Sequence, residues 1–428
     1  MFSIHPRKRD ARNVYLFFSV GMSICFSMSF LVMMVFTIQT VGLSPIQLVL
    51  AGTALEITIF ISEIPTGIIA DVYSRRLSIV IGFFVISAAF VFQAFSPTFV
   101  GVLLFNIVWG FGYTFTSGAT EAWIIDEIGT EEAGGLFLRS SRLSSLLGIV
   151  ASIIGIILAT LLITLPILVA GLLFLVIAIG MVLYMPETGF HPTPAEERST
   201  FGQMADTLRA GVKLIRVRPM LLSILGIGLF VGLYSEGFDR LGDAHLLRSF
   251  VLPDFHGLPP VVWLGALGLV GNLVNGIATR VMEKRLDMKR GQTLARASFA
   301  LSALLVASLF GFALAGNFVM AVVINIGIGT IRTLLGPINT TWINQHIDSS
   351  VRTTVISLTS QVDAFGQIVG GPPVGFIGER LGIRAALMCS GLILSPVLYL
   401  YSRIIRADNR TAAAAAMAVV QVQPSVEV

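Results

Sequence analysis

Charge is what this chain has least of: 12% of its 428 residues are Asp, Glu, Lys or Arg, whereas 55% are hydrophobic and the mean hydropathy is +0.87. Water-soluble domains carry roughly 25% charged residues, so composition excludes one. Cysteine is nearly absent. Cys25 and Cys389 both fall in apolar stretches far apart in sequence, which excludes a disulfide framework and a metal motif and makes both packing residues. Histidine is almost as scarce. His5, His191, His245, His256 and His346 lie in loops or at the ends of apolar stretches, and no His or Cys pairs a nucleophile with a base inside a bilayer, as an intramembrane hydrolase needs. No cofactor or metal is expected.

What is there instead is a series of apolar runs. About 20 residues cross a hydrocarbon layer of roughly 30 Å, and runs of that length recur along the chain. They predict spans over 14–40, 45–70, 77–95, 98–125, 137–163 and 166–185, then 219–240, 260–280, 293–315, 318–345, 353–376 and 383–404. The fold class is therefore all-α integral membrane, with twelve transmembrane helices in two six-helix bundles. The basic head MFSIHPRKRDAR precedes a stretch too long for a signal peptide and lacking an Ala-x-Ala exit, so the first helix is expected to be retained.

Orientation follows from the basic residues. With both termini cytoplasmic, Arg240, Arg248, Arg380 and Arg384 fall outside, Arg332 falls within a span, and the rest of the 28 Lys and Arg lie inside. The net charge of +4 thus reflects topology, and its scatter over inner loops argues against nucleic acid as a partner.

Four segments result: a bundle over 1–190, a linker over 191–218, a second bundle over 219–406 and a disordered tail over 407–428. The linker opens in Met185-Pro-Glu-Thr-Gly-Phe-His-Pro-Thr-Pro194. Thr200 and Gln203 make a capping-box pattern, and Phe201, Met204, Leu208, Val212 and Ile215 oppose Arg209, Lys213 and Arg216, which predicts an amphipathic helix. Its basic face either meets anionic headgroups or is simply solvated.

Two bundles invite a search for repetition, a signature of secondary transporters. Gly67-Ile-Ile-Ala-Asp71-Val-Tyr-Ser-Arg75-Arg76 aligns with Gly276-Ile-Ala-Thr-Arg280-Val-Met-Glu-Lys284-Arg285, sharing glycine, valine and the basic pair. A weaker echo relates Gly110, Thr114 and Trp123 to Gly329, Thr333 and Trp342.

With its glycine, Ala-Asp and closing basic pair between spans two and three, the first copy resembles the signature loop of the major facilitator superfamily, over nearly the entire chain. The runs from Glu63, Ser117 and Pro186 are similar to those of the tetracycline-resistance-like group of drug exporters. The resemblance implies a conformational latch made of Gly67, Asp71, Arg75 and Arg76, in which Asp71 caps a helix of the opposite half, the eleventh span near Arg352, and an arginine holds Asp126. Charge-assisted contacts of that kind can be broken and remade. The plainer reading is a stop signal for topology.

Charges inside spans come next, because each costs about 2.5–3.5 kcal/mol on insertion scales. Glu56 sits eleven residues before Gly67, near mid-membrane, with Glu63 two turns further along the same face. A carboxyl there suits a group that takes and releases protons, or else it knits helices together as a neutral partner. Arg332 needs an anion: Asp363 as a permanent partner, or Glu56 or a substrate as a transient one. Glu236, Asp239 and Arg240 read as an interfacial group at the outer end of span seven.

Gln39, Asn106, Trp109, Tyr113, Asn272, Asn339 and Gln361 are candidates for a substrate cavity, with Asn275, Asn325 and Gln367 beside them. Aromatic walls with few fixed charges suit planar, partly apolar solutes. Two departures stand against antiport. Asn106 occupies the fourth-span position where proton-coupled relatives carry arginine, and RLSSLLGIVASIIG has no Gly-Pro motif, although Gly366-Gln-Ile-Val-Gly370-Gly371-Pro372-Pro373 has that flavour in the eleventh span. The expected function is alternating-access transport of a small organic solute, as proton-coupled efflux, with uptake of a nutrient or metabolite and a non-transporting sensor as alternatives. Partners would be the solute, protons and the lipid bilayer, around a monomer in a bacterial inner membrane.

Overall fold

The apolar runs fold as helices, because a chain in hydrocarbon must satisfy its backbone hydrogen bonds within itself. The computed structural model describes residues 10–192, 219–253, 257, 259–288, 291–346, 349–406 and 409. The linker helix expected over 200–216 and the tail beyond 409 lie outside the described residues, as does the side chain of Arg352.

In the first half, α1 (Ala11–Val35) runs into a π-turn at Phe36–Thr40, followed by α2 (Pro45–Val72), α3 (Arg75–Phe95), α4 (Phe99–Thr116), α5 (Ala119–Ile128), α6 (Thr130–Leu161) and α7 (Leu165–Tyr184). Helices α4 and α5 are one span broken at Ser117 and Gly118. Gly118 has φ +70°, a left-handed conformation that turns the chain and that side-chain-bearing residues rarely adopt. The second half has α8 (Pro219–Ser249), α9 (Pro260–Arg285), α10 (Gly291–Ala313), α11 (Phe318–His346), α12 (Ser349–Leu381) and α13 (Ile383–Leu394), which continues past a turn at Ser395 to Arg406. Among the described residues eleven spans are long and apolar enough to cross a membrane. Helix α12 has the length, at 33 residues, but Gln361, Asp363, Gln367 and Gly370-Gly371-Pro372-Pro373 dilute its apolarity.

Two edges differ from expectation. Span seven was expected to end at 240, with Glu236, Asp239 and Arg240 at its outer end. Instead α8 continues to Ser249 and holds all three in its interior. The helix tolerates them because each is paired, as described below. The basic pairs of the two repeats also differ: Arg75 and Arg76 open α3, whereas Lys284 and Arg285 close α9. Ser74 accepts the Leu77 N–H at 2.9 Å and so starts a new helix, whereas Glu283 at the matching place leaves α9 to run on. Cations in a helix's last turn are favourable in their own right.

The helices form two compact units. One holds the described residues up to 192 together with Asp243–Leu269; the other holds 219–242 and the described residues from Val270 onward. In this division the end of α8 and the start of α9 go with the first unit. Arg248 shows why: its Nη2 donates to the carbonyl oxygens of Ile38, in the π-turn, and Leu43, just beyond it, at 2.9 and 2.7 Å. An aromatic core fills the first unit. Phe18, Phe83, Phe90, Phe174 and Trp123 are buried, with Phe18 edge-on to Phe83 and Phe83 edge-on to Phe174 at 6.0 Å. In the second unit Phe312 packs edge-on to Phe238, and Tyr401 is buried.

Candidate functional site

The turn between α2 and α3 lies in a cluster of charges belonging to the first unit. Arg75, 15% exposed at its side chain, makes an ion pair with Asp126 and lies 3.9 Å from Asp71. Its guanidinium also faces the Phe190 ring at 5.9 Å. Arg76 donates through Nη2 to the Val182 carbonyl at 2.6 Å.

The segment Pro186-Glu-Thr-Gly-Phe190, leaving α7, ties this cluster together. Glu187 accepts from Ser74 Oγ at 2.6 Å and from the Arg76 backbone N–H at 2.9 Å, placing a carboxylate on the N-terminus of α3, where the helix dipole favours it. Trp123 Nε1 donates to the Pro186 carbonyl at 2.8 Å. Glu127 accepts from Thr188 Oγ1 and the Gly189 N–H, each at 2.7 Å. Asp126 and Glu127 end α5, where the dipole disfavours anions, and the Arg75 guanidinium and these N–H and O–H donors offset that. A side chain on Gly189 would put its Cβ 2.1 Å from the Asp126 carbonyl oxygen, so the close approach requires glycine. Glu187, Glu127, Thr188 and Gly189 were not foreseen as site residues, although a Pro-Glu-Thr-Gly run leaving a span and an Asp-Glu pair ending one are visible in the sequence.

Glu56 lies near the middle of the 28-residue α2 and is half-buried; Glu63, further along, is exposed. A second group of charges lies deep in the second unit. Arg332, near the middle of α11, donates to both carboxylate oxygens of Asp239 on α8, the Nη2 to Oδ2 bond measuring 3.0 Å. Its guanidinium carbon lies 5.9 Å from the Tyr234 ring and 5.7 Å from the Phe238 ring. Asp363, one of the partners expected from sequence, accepts from Gln367 on its own helix at 2.8 Å. Sequence gives the depth of a residue along a helix but not its angle around the axis, and it reads Asp239 as part of an interfacial group at the outer end of span seven. Glu236, buried, accepts from Arg240 Nε at 2.9 Å.

The cavity candidates scatter. Asn106 is buried and donates to the Val102 carbonyl of its own helix at 2.8 Å. Gln39 lies in the π-turn at the end of α1, exposed. Trp109 stacks on Phe105, stands edge-on to Phe30 at 5.4 Å and neighbours Tyr113 at 6.1 Å, inside the first unit's aromatic cluster. Asn339 Oδ1 accepts from Ser298 and Tyr401, each at 2.8 Å, so it ties α11 to α10 and α13. Asn275 accepts from Thr330 at 2.7 Å. Asn272 is exposed and Gln361 half-buried. Among the described residues no group of three His, Cys, Asp or Glu is placed to hold a metal.

Eleven helices long and apolar enough to cross a membrane among the described residues, with ionisable groups inside several of them, define a multi-pass membrane protein. The Major Facilitator Superfamily profile matches residues 16–370, and the chain belongs to that superfamily. It is 24% identical over 357 residues to the uncharacterized MFS-type transporter YxaM of Bacillus subtilis (strain 168), covering 83% of this chain and 87% of that protein. Among solved structures it resembles the nucleoside transporter NupG, at TM-score 0.67 and 12% identity over 92% of this chain and 99% of that one. It also resembles a D-xylose-proton symporter, at TM-score 0.64 and 11% identity over 91% and 96%. At these identities the likeness is one of fold. The chain is accordingly a multi-pass membrane transporter and not an enzyme.

Proposed function

We propose that this protein is a proton-coupled secondary transporter that exports a small organic solute, drug-like or a metabolite, by alternating access. We place it in a bacterial inner membrane as a monomer with both termini cytoplasmic. The observation that carries the reading is Glu56, a carboxyl half-buried near the middle of a membrane-spanning helix, where an ionisable group is expensive to keep. Glu56 takes and releases the proton. Asp71, Arg75, Arg76 and Asp126, after Gly67, form the latch that is remade in each cycle, and the Pro186–Phe190 segment braces it.

Uptake is the second reading. Asn106 in place of arginine and the lack of a Gly-Pro motif in α6 favour it. The sign of proton movement separates the two. In acidified inside-out vesicles carrying a pH-sensitive dye, a panel of drugs and metabolites is added to wild type and Glu56→Gln. Proton release by one compound in wild type alone supports export and names a substrate. No response, while intact cells accumulate one of the same compounds, moves the reading to uptake and removes Glu56 from the coupling role.

A further inference from the structure

Two arginines of the first unit take no part in the sites described above. Arg139 and Arg142 lie one turn apart on α6, both exposed, and neither has a hydrogen bond or ion pair among the described residues. Of the five carboxylates on α5 and α6, Glu132 pairs with Arg12, Asp126 with Arg75, and Glu127 accepts from Thr188 and Gly189. Glu121 and Glu131 form no ion pair with either arginine. Two positive charges thus stand side by side without a counter-ion among the described residues.

What lies beside them is an aliphatic surface. One face of α6 packs on α1: Ser140 Oγ meets Ser19 Oγ at 2.8 Å, Ser152 Oγ donates to the Ser27 carbonyl at 3.1 Å, and a Cβ on Gly155 would stand 2.3 Å from the Met28 carbonyl oxygen. The opposite face carries Leu138, Leu146, Ile149, Ile153 and Ile157, 42–65% exposed, and Arg142 stands in the same row at steps of three or four residues. So open an aliphatic stripe on a spanning helix faces lipid. Depth follows from the helix rise. Arg142 precedes Leu161, where α6 ends, by nineteen residues or about 28 Å, so it stands at one edge of a hydrocarbon layer of roughly 30 Å, with Arg139 about 4.5 Å further out.

At that depth an arginine keeps its stem along the acyl chains and its guanidinium among the headgroups. We propose that Arg139 and Arg142 hold the headgroup phosphate of an anionic phospholipid whose acyl chains lie along the Leu146–Ile157 stripe. Guanidinium and phosphate match as paired, charge-assisted hydrogen bonds, and the lipid supplies the counter-charge that α5 and α6 do not. A zwitterionic lipid brings its own ammonium to its phosphate, so the pair selects net negative charge. The inference needs only that the chain spans a membrane, and it holds for uptake as for export.

The test reads the lipid beside the pair. Leu146→Trp, one turn deeper than Arg142, and Leu161→Trp, at the far end of α6, are each introduced into the full-length protein in nanodiscs of phosphatidylcholine with a minor share of phosphatidylglycerol. Brominated, fluorescence-quenching chains are placed on one lipid or the other, and the signal of the parent protein is subtracted. At Leu146→Trp phosphatidylglycerol should be enriched over its share on the order of tenfold, and at Leu161→Trp it should match its share. Adding Arg139→Gln and Arg142→Gln to Leu146→Trp should abolish the enrichment, whereas Arg12→Gln, which removes an arginine already paired with Glu132, should leave it. No enrichment at Leu146→Trp overturns the proposal and leaves the arginines as topology signals. Equal enrichment at Leu161→Trp overturns it too, as does enrichment that survives the double substitution in a protein that melts like wild type. Enrichment abolished by inorganic phosphate at constant ionic strength would assign the pair to a soluble anion and likewise overturn it.

Discussion

Replacing Gly189 by alanine places a methyl group 2.1 Å from the Asp126 carbonyl oxygen and 2.6 Å from its carbon. Both are backbone atoms, so no side-chain rotation relieves the overlap; either α5 or the segment leaving α7 must shift. Overpacking of this kind costs about 1–3 kcal/mol. A shift of the segment also stretches the bonds that Thr188 and Gly189 donate to Glu127, at about 0.5–1.5 kcal/mol each before discounting for the exposure of Glu127. A total of roughly 2–4 kcal/mol follows, or a fall in melting temperature on the order of 2–5 °C for a chain of 428 residues. Gly134→Ala is the control. Among the described residues nothing lies within 4 Å of a Cβ there, and the position is exposed inside α6, so alanine should stabilise by about 0.5–1 kcal/mol. The assay is thermal unfolding of both variants in detergent beside wild type. A Gly189→Ala protein that melts at or above wild type would refute the clasp between α5 and the Pro186–Phe190 segment.

Tyr401→Phe removes one of the two hydrogen bonds that Asn339 accepts and leaves the bond from Ser298, so a loss of about 0.5–1.5 kcal/mol is expected in a denaturant melt. No loss would show that Tyr401 does not hold α13 to α11. Arg12→Ala breaks a pair with Glu132 whose side chains are 49% and 55% exposed; the change in stability should stay under about 1 kcal/mol and shrink further in high salt. Asp71→Asn should slow turnover while substrate binding stays near wild type, and Glu56→Gln should bind but lose its response to pH; equal binding loss in both would defeat that division of roles.

The apolar runs made the spans legible, and the charges Asp71, Arg75 and Arg76 made the α2–α3 boundary legible, because both depend on neighbours in the sequence. What was not legible depended on rotation about a helix axis or on distant partners. The sequence reading puts Asp239 at the outer end of span seven and Asp363 at a depth matching Arg332, and only the continuation of α8 and its packing bring Asp239 to Arg332. The bonds from Ser74 and Arg76 to Glu187 join residues more than a hundred positions apart. Asn339 and Asn106, polar residues in apolar helices, read equally well as cavity lining or as internal ties, and the structure satisfies both internally. The continuation of α8 beyond 240 was hidden by charges that look like a boundary until their pairing is seen.

The most direct test of proton-coupled transport is solute accumulation in proteoliposomes under an imposed pH gradient, using a compound found in the vesicle screen. Wild type should move the compound against its concentration gradient only while the pH gradient lasts. Glu56→Gln should exchange labelled for unlabelled compound across the membrane but build no gradient. Accumulation by Glu56→Gln that still follows the pH gradient, or uphill accumulation by wild type without one, would contradict the account.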